Sequence, residues 1–580
     1  MGTPPTVGEY AEWNLAALSR VRISRRTLVV GAGAAAAAAA FPLARHAFTA
    51  GGGVPGPTRT AITGRHLAWV ADGGGDPGTA LRVTAQLLPP GGTLPAGLRA
   101  VVDLGAAAGS YGTSVPAEIV HLTGLYAIPG GPAGSQFYLK AELTGLRPGT
   151  THHYRFRLSD GTTTGDASFV TAPARGTPAA PFTFTAFADV GTSTPPTDPR
   201  YAWAGDPSSV RKNGGTWPAG RFDNGYASDD PIAGAHGRDP RPAATQIALM
   251  ATQRPRFTLL AGDICYADPS GTGLPADDRT PPAAGTNAYD PYVWDVFLTR
   301  IDRQAAYTPW MFTTGNHDME ALYGGHGYAG HAARLDLPRN GPAGCPSVYS
   351  FRYANVGVVS LDANELSAEI RANRGYSGGA QQRWLEQTLR ALRGDPAIDF
   401  VVAFFHHCAY STTREHASDG GVRDAVDALF SRYQVDLAIQ GHNHVMERTD
   451  PIRDGRPTRS APDGATVDPV RDGVTYLCIG SGGRARYSFP PGAGQRYRGA
   501  GGAADPVESY VWAPDGSKQP ERVGWSRVRY DGYAFLAVDV VPARAGLPTT
   551  MTLRTLADAL PGQSGPYTEI DRVTLRRIAG

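Results

Sequence analysis

Five short apolar runs in the C-terminal two-thirds of the chain each stop on residues that can hold a metal ion, and nothing else in the sequence restricts the fold as tightly. Phe182–Phe187 leads into Ala188-Asp189, and Phe257–Leu260 into Ala261-Gly262-Asp263-Ile264-Cys265-Tyr266. Trp310–Thr313 leads into Thr314-Gly315-Asn316-His317-Asp318, and Phe400–Phe405 into His406-His407-Cys408-Ala409-Tyr410. Val435–Ile439 leads into Gln440-Gly441-His442-Asn443-His444. Short continuous apolar runs read as buried strands, and ligands of open α/β sheets collect where such strands end. Taken singly, each ending has a plain reading: a strand-ending Gly-Asp or Gly-Asn-His is an ordinary turn, and His406-His407 behind Phe404-Phe405 is an ordinary core pair. Five in succession are not accounted for that way. Carboxylate and amide oxygens mixed with imidazoles suit a pair of first-row transition metals, not calcium and not a thiolate zinc site.

The texture around these runs is βαβ. Val356–Leu361 and Tyr476–Ile479 add two more apolar runs, and helical patterns occupy Ala243–Thr252 and Gln382–Leu392. The expectation is an α/β fold, a largely buried sheet with helices on its faces, completed by strands near Phe535–Val541 and Thr550–Thr555. Two Gly/Pro-rich inserts, Thr192–Pro240 and Asp268–Asp290, read as surface loops. Ahead of a Pro/Ala/Gly linker at Thr171–Pro181, alternating segments such as Leu81–Leu87 and Tyr154–Leu158 predict an all-β unit. Domain boundaries at 59–173 and 180–580 follow.

The first 50 residues read differently. Ser24-Arg25-Arg26-Thr27-Leu28 precedes an Ala-rich stretch from Val29 to Ala44 and then Arg45. Paired arginines before a mildly apolar core predict a twin-arginine signal peptide, hence passage through that export machinery to a secreted or cell-surface location in a bacterium. The stretch is short and too rich in Ala and Gly for a stable membrane span in the mature form. A formal net charge of +2 over 580 residues gives no reason to expect a nucleic-acid partner. Four cysteines do not make a disulfide scaffold, though one or two bridges after export are open to them. For Cys265 and Cys408, beside the expected ligands, packing or a disulfide is the expected role rather than coordination.

On these motifs the sequence resembles the calcineurin-like metallophosphoesterases and, within them, the purple acid phosphatases. Two positions discriminate. Most of the superfamily has a histidine two residues after the first Asp, where this chain has Gly191, and Tyr266 stands in the compensating position. Gln381-Gln382-Arg383-Trp384-Leu385-Glu386, His444-Val445-Met446-Glu447-Arg448, Tyr349-Ser350-Phe351 and Ile479-Gly480-Ser481-Gly482-Gly483 also match. Met446 departs from a common aromatic, and Cys408-Ala409 from a small-residue–Pro pair. The resemblance implies a metallophosphoesterase β-sandwich flanked by helices, preceded by a fibronectin-type-III-like all-β domain. In that domain the usual corner tyrosine is replaced by His152 or shifted to Tyr154.

The resemblance further implies two metals bridged by Asp263. Fe(III) would take Asp189, Tyr266 and His444; Fe(II), Zn(II) or Mn(II) would take Asn316, His406 and His442. His406 is preferred over His407 because it lies four residues before Tyr410, the family's spacing. His317 and His416 would bind phosphate or protonate the leaving oxygen, and His407 would lie behind the metals or face the substrate. The implied activity is that of an exported phosphatase in which a metal-bound hydroxide attacks a phosphate monoester, two cations about 3.5 Å apart lowering the pKa of a shared water. A phosphodiesterase or nucleotide pyrophosphatase on the same site, or a cell-surface binding protein without catalysis, are the alternatives.

Overall fold

The computed structural model describes residues 59–71, 75–122, 135–191, 211–212, 215–216, 242–267, 293–320, 326–484, 486–499, 504–544, 547–558 and 567–577. The expected signal peptide lies outside the described residues. So do the two inserts, apart from a short ladder pairing 211–212 with 215–216.

The all-β unit has seven antiparallel strands: β1 (Ala61–Trp69), β2 (Leu81–Leu88), β3 (Ala100–Ala107), β4 (Ser110–Leu122), β5 (Gln136–Leu143), β6 (Thr151–Leu158) and β7 (Ala167–Val170). Their order is β1-β2-β5-β4-β3-β6-β7. The long β4 is shared: its first half pairs with β3, from Ser110 to Ala117, and its second half with β5, from Glu118 to Leu122. β6 alternates strictly, burying His152, Tyr154, Phe156 and Leu158, as a strand with one face in the core must. His152 Nε2 lies 3.4 Å from the carbonyl of Arg147, five residues back, while the Tyr154 hydroxyl donates to the carbonyl of Ala306 at 2.9 Å.

The predicted apolar runs are all strands, and they build two seven-stranded sheets, as the β-sandwich implied by the family resemblance requires and as the βαβ texture alone did not show. The first contains β8 (Phe182–Phe187), β9 (Thr258–Ala261), β10 (Trp310–Thr313), β16 (Ala465–Val467), β19 (Ala534–Val541), β20 (Thr549–Ala557) and β21 (Thr568–Arg577), in the order β10-β9-β8-β19-β20-β21-β16. The second contains β11 (Tyr349–Tyr353), β12 (Val356–Ser360), β13 (Phe400–Phe405), β14 (Leu437–Gln440), β15 (Met446–Thr449), β17 (Thr475–Ile479) and β18 (Ser526–Tyr530), in the order β11-β12-β13-β14-β17-β15-β18. β8, β9 and β10 are parallel to one another, as are β12, β13, β14 and β17. Each parallel set therefore delivers its C-terminal loops to one end. Runs buried on both faces cannot say which sheet they join, because the two sheets share one core. Phe257 stands edge-on to Phe351 at 5.4 Å, and Tyr349 donates across to the Phe312 carbonyl at 2.7 Å.

Helices α1 (Pro242–Thr252), α2 (Val293–Ala305), α3 (Ala329–Arg334), α4 (Ala380–Gly394) and α5 (Gly420–Arg432) flank the sheets. α2 and α3 also form the seam with the all-β unit. Arg65 pairs with Asp302 at 2.8 Å, and Lys140 Nζ donates to the carbonyls of Ala332 and Leu335 at 2.6 and 2.8 Å. Fully buried Arg334 spans the seam, pairing with Glu320 at 2.6 Å and donating to Gln136 of β5 at 2.9 Å. Among the described residues no helix is long and apolar enough to cross a membrane.

Candidate metal centre

The parallel strands place five loops against one another, and the close fit depends on glycine. Gly262 has φ +84°, and a Cβ there would sit 2.6 Å from His406 Nδ1; one at Gly441 would sit 2.9 Å from Asp189 Oδ2. The ligand-type residues themselves are bent. Among the described residues nine that are not glycine have positive φ, and four of them are Asp189, Asp263, Tyr266 and His442, at 58°, 50°, 59° and 66°. Such backbones cost on the order of 1–3 kcal/mol each and persist where the surroundings hold them. Here the surroundings do so: the amide of His442 donates to Asp189 Oδ2 at 2.8 Å, and that of His317 to Asp263 Oδ1 at 2.9 Å.

The seven side chains expected as ligands form one connected group. The Tyr266 hydroxyl lies 3.0 Å from Asp189 Oδ1 and 3.0 Å from His444 Nε2. His406 Nε2 lies 3.2 Å from Asp263 Oδ2 and 3.1 Å from Asn316 Oδ1. One donor atom each from Asp263, His406 and His442 falls within a 4.8 Å cluster. All seven are buried, none more than 5 % exposed.

Electrostatics couple these side chains. Burial and the charge of Asp263 push Asp189 up to about 7. At Asp263 burial works upward too, but the facing imidazoles of His406 and His317 win and hold it well below the usual range. Burial would lower His406, yet Asp263 and Asp189 raise it to about 10. Burial, then the two carboxylates, keeps the Tyr266 phenol far above its ordinary value.

A cation fits these atoms. The carbonyl of Ala261 can only accept, so His406 Nδ1, 2.9 Å away, carries its hydrogen; Nε2 then turns a lone pair toward two oxygen acceptors unless it gains a second proton. The hydroxyl of Tyr266 donates its single hydrogen to Asp189 Oδ1 and lies equally close to His444 Nε2. Metal ions in place of those protons satisfy the same lone pairs and neutralise both carboxylates.

The three remaining histidines separate by exposure. The His317 side chain is 15 % exposed and lies 3.9 Å from Asp263 Oδ2, with its ring 4.2 Å from that of Tyr266. His416 is 24 % exposed and its ring lies 4.3 Å from that of His442. His407 is fully buried, packed 4.4 Å from the His442 ring, and among the described residues neither of its nitrogens meets a hydrogen-bond partner. Burial and then the charges of His442 and His406 drive its pKa well down. It is fully buried, whereas His317 and His416 keep part of their surface exposed.

The comparisons with known proteins agree with this geometry. The family model described as calcineurin-like phosphoesterase matches residues 236–446. An uncharacterized protein of Mycobacterium tuberculosis is 31% identical over 466 residues, 76% of this chain and 76% of its own length. Purple acid phosphatase 21 of Arabidopsis thaliana is 29% identical over 229 residues, 39% of this chain and 43% of the relative. The structure of purple acid phosphatase PPD1 from yellow lupin seeds superposes with a TM-score of 0.59 at 17% identity, covering 90% of this chain and 75% of that one.

The chain belongs to the calcineurin-like metallophosphoesterases and is purple acid phosphatase-like.

Members of this family are metal-dependent phosphoesterases with a dinuclear centre, and a phosphate ester is the corresponding substrate. Within this metallophosphoesterase the structure adds residues that the sequence reading missed. Asp318 ties two site loops together, accepting from the amides of Gly315 at 2.8 Å and Ile264 at 3.1 Å. Arg484 sits over the Tyr266 ring at 4.3 Å, and Tyr487 stacks flat on His444 at 4.0 Å with its hydroxyl 3.3 Å from His416 Nε2. Glu369 contacts both His416 and His442; burial raises its carboxyl, but hydrogen bonds from those two histidines win and hold it at about 2. None of the four sits at a strand end in a recognisable motif, apart from Asp318 in the Asn-His-Asp run. All four cysteines are buried thiols. Cys408 and Cys478 both donate to the Gly441 carbonyl, at 2.9 and 3.5 Å, at the root of the His442 loop.

Proposed function

We propose that the protein is an exported acid phosphatase that hydrolyses phosphate monoesters, with Fe(III) beside Tyr266 and Fe(II), Zn(II) or Mn(II) beside Asn316. The observation that carries this reading is the buried phenol of Tyr266 between Asp189 and His444, with Gly191 where a histidine would otherwise stand. A phenolate suits a trivalent hard cation, and its burial next to two carboxylates leaves it no reason to ionise without one. Asp189, Tyr266 and His444 would hold the first metal, Asn316, His406 and His442 the second, and Asp263 would bridge them. When bound, such a pair neutralises phosphate oxygens and makes hydroxide available from water near neutral pH.

The chain's own residues do the rest. His317 and His416, the two of the three candidate histidines that keep exposed surface, flank the ligands and offer ring N–H groups to phosphate oxygens or to the departing alkoxide. The His317 amide donates to Asp263 Oδ1, which fixes that loop against the bridge position. The buried frame leaves no mobile ligand, so a bound ester meets donors already in place. The all-β unit, in this reading a fibronectin-type-III-like domain, buttresses α2 and the segment that carries Asn316 and His317. The monoester preference draws support from the names of relatives, which include a phosphoenolpyruvate phosphatase of Allium cepa, 25% identical over 230 residues. Export draws support from the paired arginines Arg25 and Arg26 before the Ala-rich stretch.

The test is hydrolysis of p-nitrophenyl phosphate against bis-p-nitrophenyl phosphate by the metal-loaded full chain. The expected result is a higher kcat/KM for the monoester, lost on chelation and restored by iron with zinc or manganese. A strong preference for the diester would replace this reading with phosphodiesterase chemistry, and no hydrolysis at full metal loading would replace it with a binding role.

A further inference from the structure

Glu369 lies 47 residues before His416 and 73 before His442, in no motif, yet its two carboxylate oxygens meet both rings. Oε1 is 2.6 Å from His416 Nδ1, and Oε2 is 3.2 Å from His442 Nε2. Its backbone is pinned. The amides of Ala368 and Glu369 donate to Asp419 at 2.8 and 3.2 Å, the Ser367 hydroxyl donates to it at 2.6 Å, and Asp419 also caps α5 through the amide of Val422 at 3.1 Å. The carboxylate therefore arrives on a fixed stem and is not a mobile surface acid.

We propose that Glu369 is a positioning residue that locks His442 with its hydrogen on Nε2, leaving Nδ1 as the ligand atom, and ties that ring to His416 through one shared carboxylate. An ionised carboxylate only accepts, so both contacting nitrogens carry hydrogen. On His442 that leaves a single lone pair, on Nδ1, and one ring nitrogen of His442 lies in the cluster with Asp263 and His406. A histidine ligand is oriented by the partner of its other nitrogen, and loss of that partner typically lowers metal affinity 10–100-fold. The same carboxylate sets His416 at 4.3 Å from His442, so the exposed proton donor is indexed to the metal pair. Glu369, His416 and His442 also bring one donor atom each within 4.8 Å of one another, so a third cation held there is the alternative that the experiment must separate. The inference rests on the dinuclear reading above and assigns the residue that orients one of its ligands.

The experiment compares the full-length wild type with Glu369→Gln, which keeps the shape of the side chain but presents an N–H₂ to one of the two rings. Zinc binding in competition with a chelator should show one of two equivalents weakened roughly 10–100-fold in the variant and the other unchanged. In the metal-free protein, ring ¹⁵N shifts of labelled histidine, assigned with His442→Gln and His416→Gln, should show His442 protonated on Nε2 in the wild type and a mixture of tautomers in the variant. Equal zinc affinities with unchanged ring shifts would overturn the proposal. So would a third equivalent lost in the variant while the first two persist, because Glu369 would then be a ligand. A wild type that fails to bind two equivalents overturns the dinuclear reading, and the metal-free ring shifts still decide the tautomer.

Discussion

Lowering the pH from 7 to 5 should weaken the seam between the all-β unit and the two-sheet unit by an amount that the structure sets. His66 on β1 and His331 on α3 are 2 % and 1 % exposed. His66 Nδ1 donates to the Gly64 carbonyl at 2.9 Å, and neither its Nε2 nor that of His331 has a partner among the described residues. Burial, with the charge of Lys140 adding to it, pulls His66 down from 6.5 to about 4 and His331 to about 3. Lys140 itself is lowered by burial to about 8, so it stays protonated throughout this window and contributes no change. Between pH 6.5 and the folded values the unfolded chain binds more protons than the folded one. Stability is therefore full above pH 6.5 and falls as the solution is acidified. At 1.36 kcal/mol per unit, each histidine should cost about 2 kcal/mol at pH 5. The assay is the denaturant midpoint at pH 7 and pH 5, read by tryptophan fluorescence, for wild type and His66→Phe. The variant loses the bond to Gly64, about 1 kcal/mol at every pH, but nothing that titrates. Wild type should lose about 2 kcal/mol more than the variant over this interval. Equal losses would show that His66 is not buried neutral and would refute the reasoning. An acid phosphatase working near pH 5 would carry this cost throughout its action.

Three further outcomes follow from the same structure. Iron-loaded wild type should be coloured by an iron–phenolate band that Tyr266→Phe abolishes, and a colourless protein at full iron occupancy would remove the assignment. Arg334→Met should cost about 3–5 kcal/mol in the same denaturation assay, because Glu320 is left charged and buried; Glu320→Gln in that background should recover part of it. Replacing both Arg25 and Arg26 by Lys should hold the protein in the cytoplasm, as read by fractionation, and unaltered export would contradict a twin-arginine signal.

The sequence alone determined the strands and their chemistry. Phe182–Phe187, Trp310–Thr313 and Phe400–Phe405 are strands with those bounds, because continuous apolar runs ended by glycine and polar residues have few other ways to fold. It also brought out the seven ligand-type residues, since each lies directly after its strand and parallel strands must present those ends together. α2, at the edge of an insert, and α5 were not foreseen; α5 opens with Gly420-Gly421 and is bounded by Asp419 as its cap. Two sheets were implied by the family resemblance, but only the tertiary structure decided which run joins which sheet, because a strand buried on both faces carries no mark of its neighbour. It also decided that His407 is fully buried while His416 keeps part of its surface exposed, a matter of which face a loop turns. Glu369 was invisible in sequence for the same reason. A carboxylate in an irregular loop acquires its role from two rings that folding brings to it, held there by Asp419.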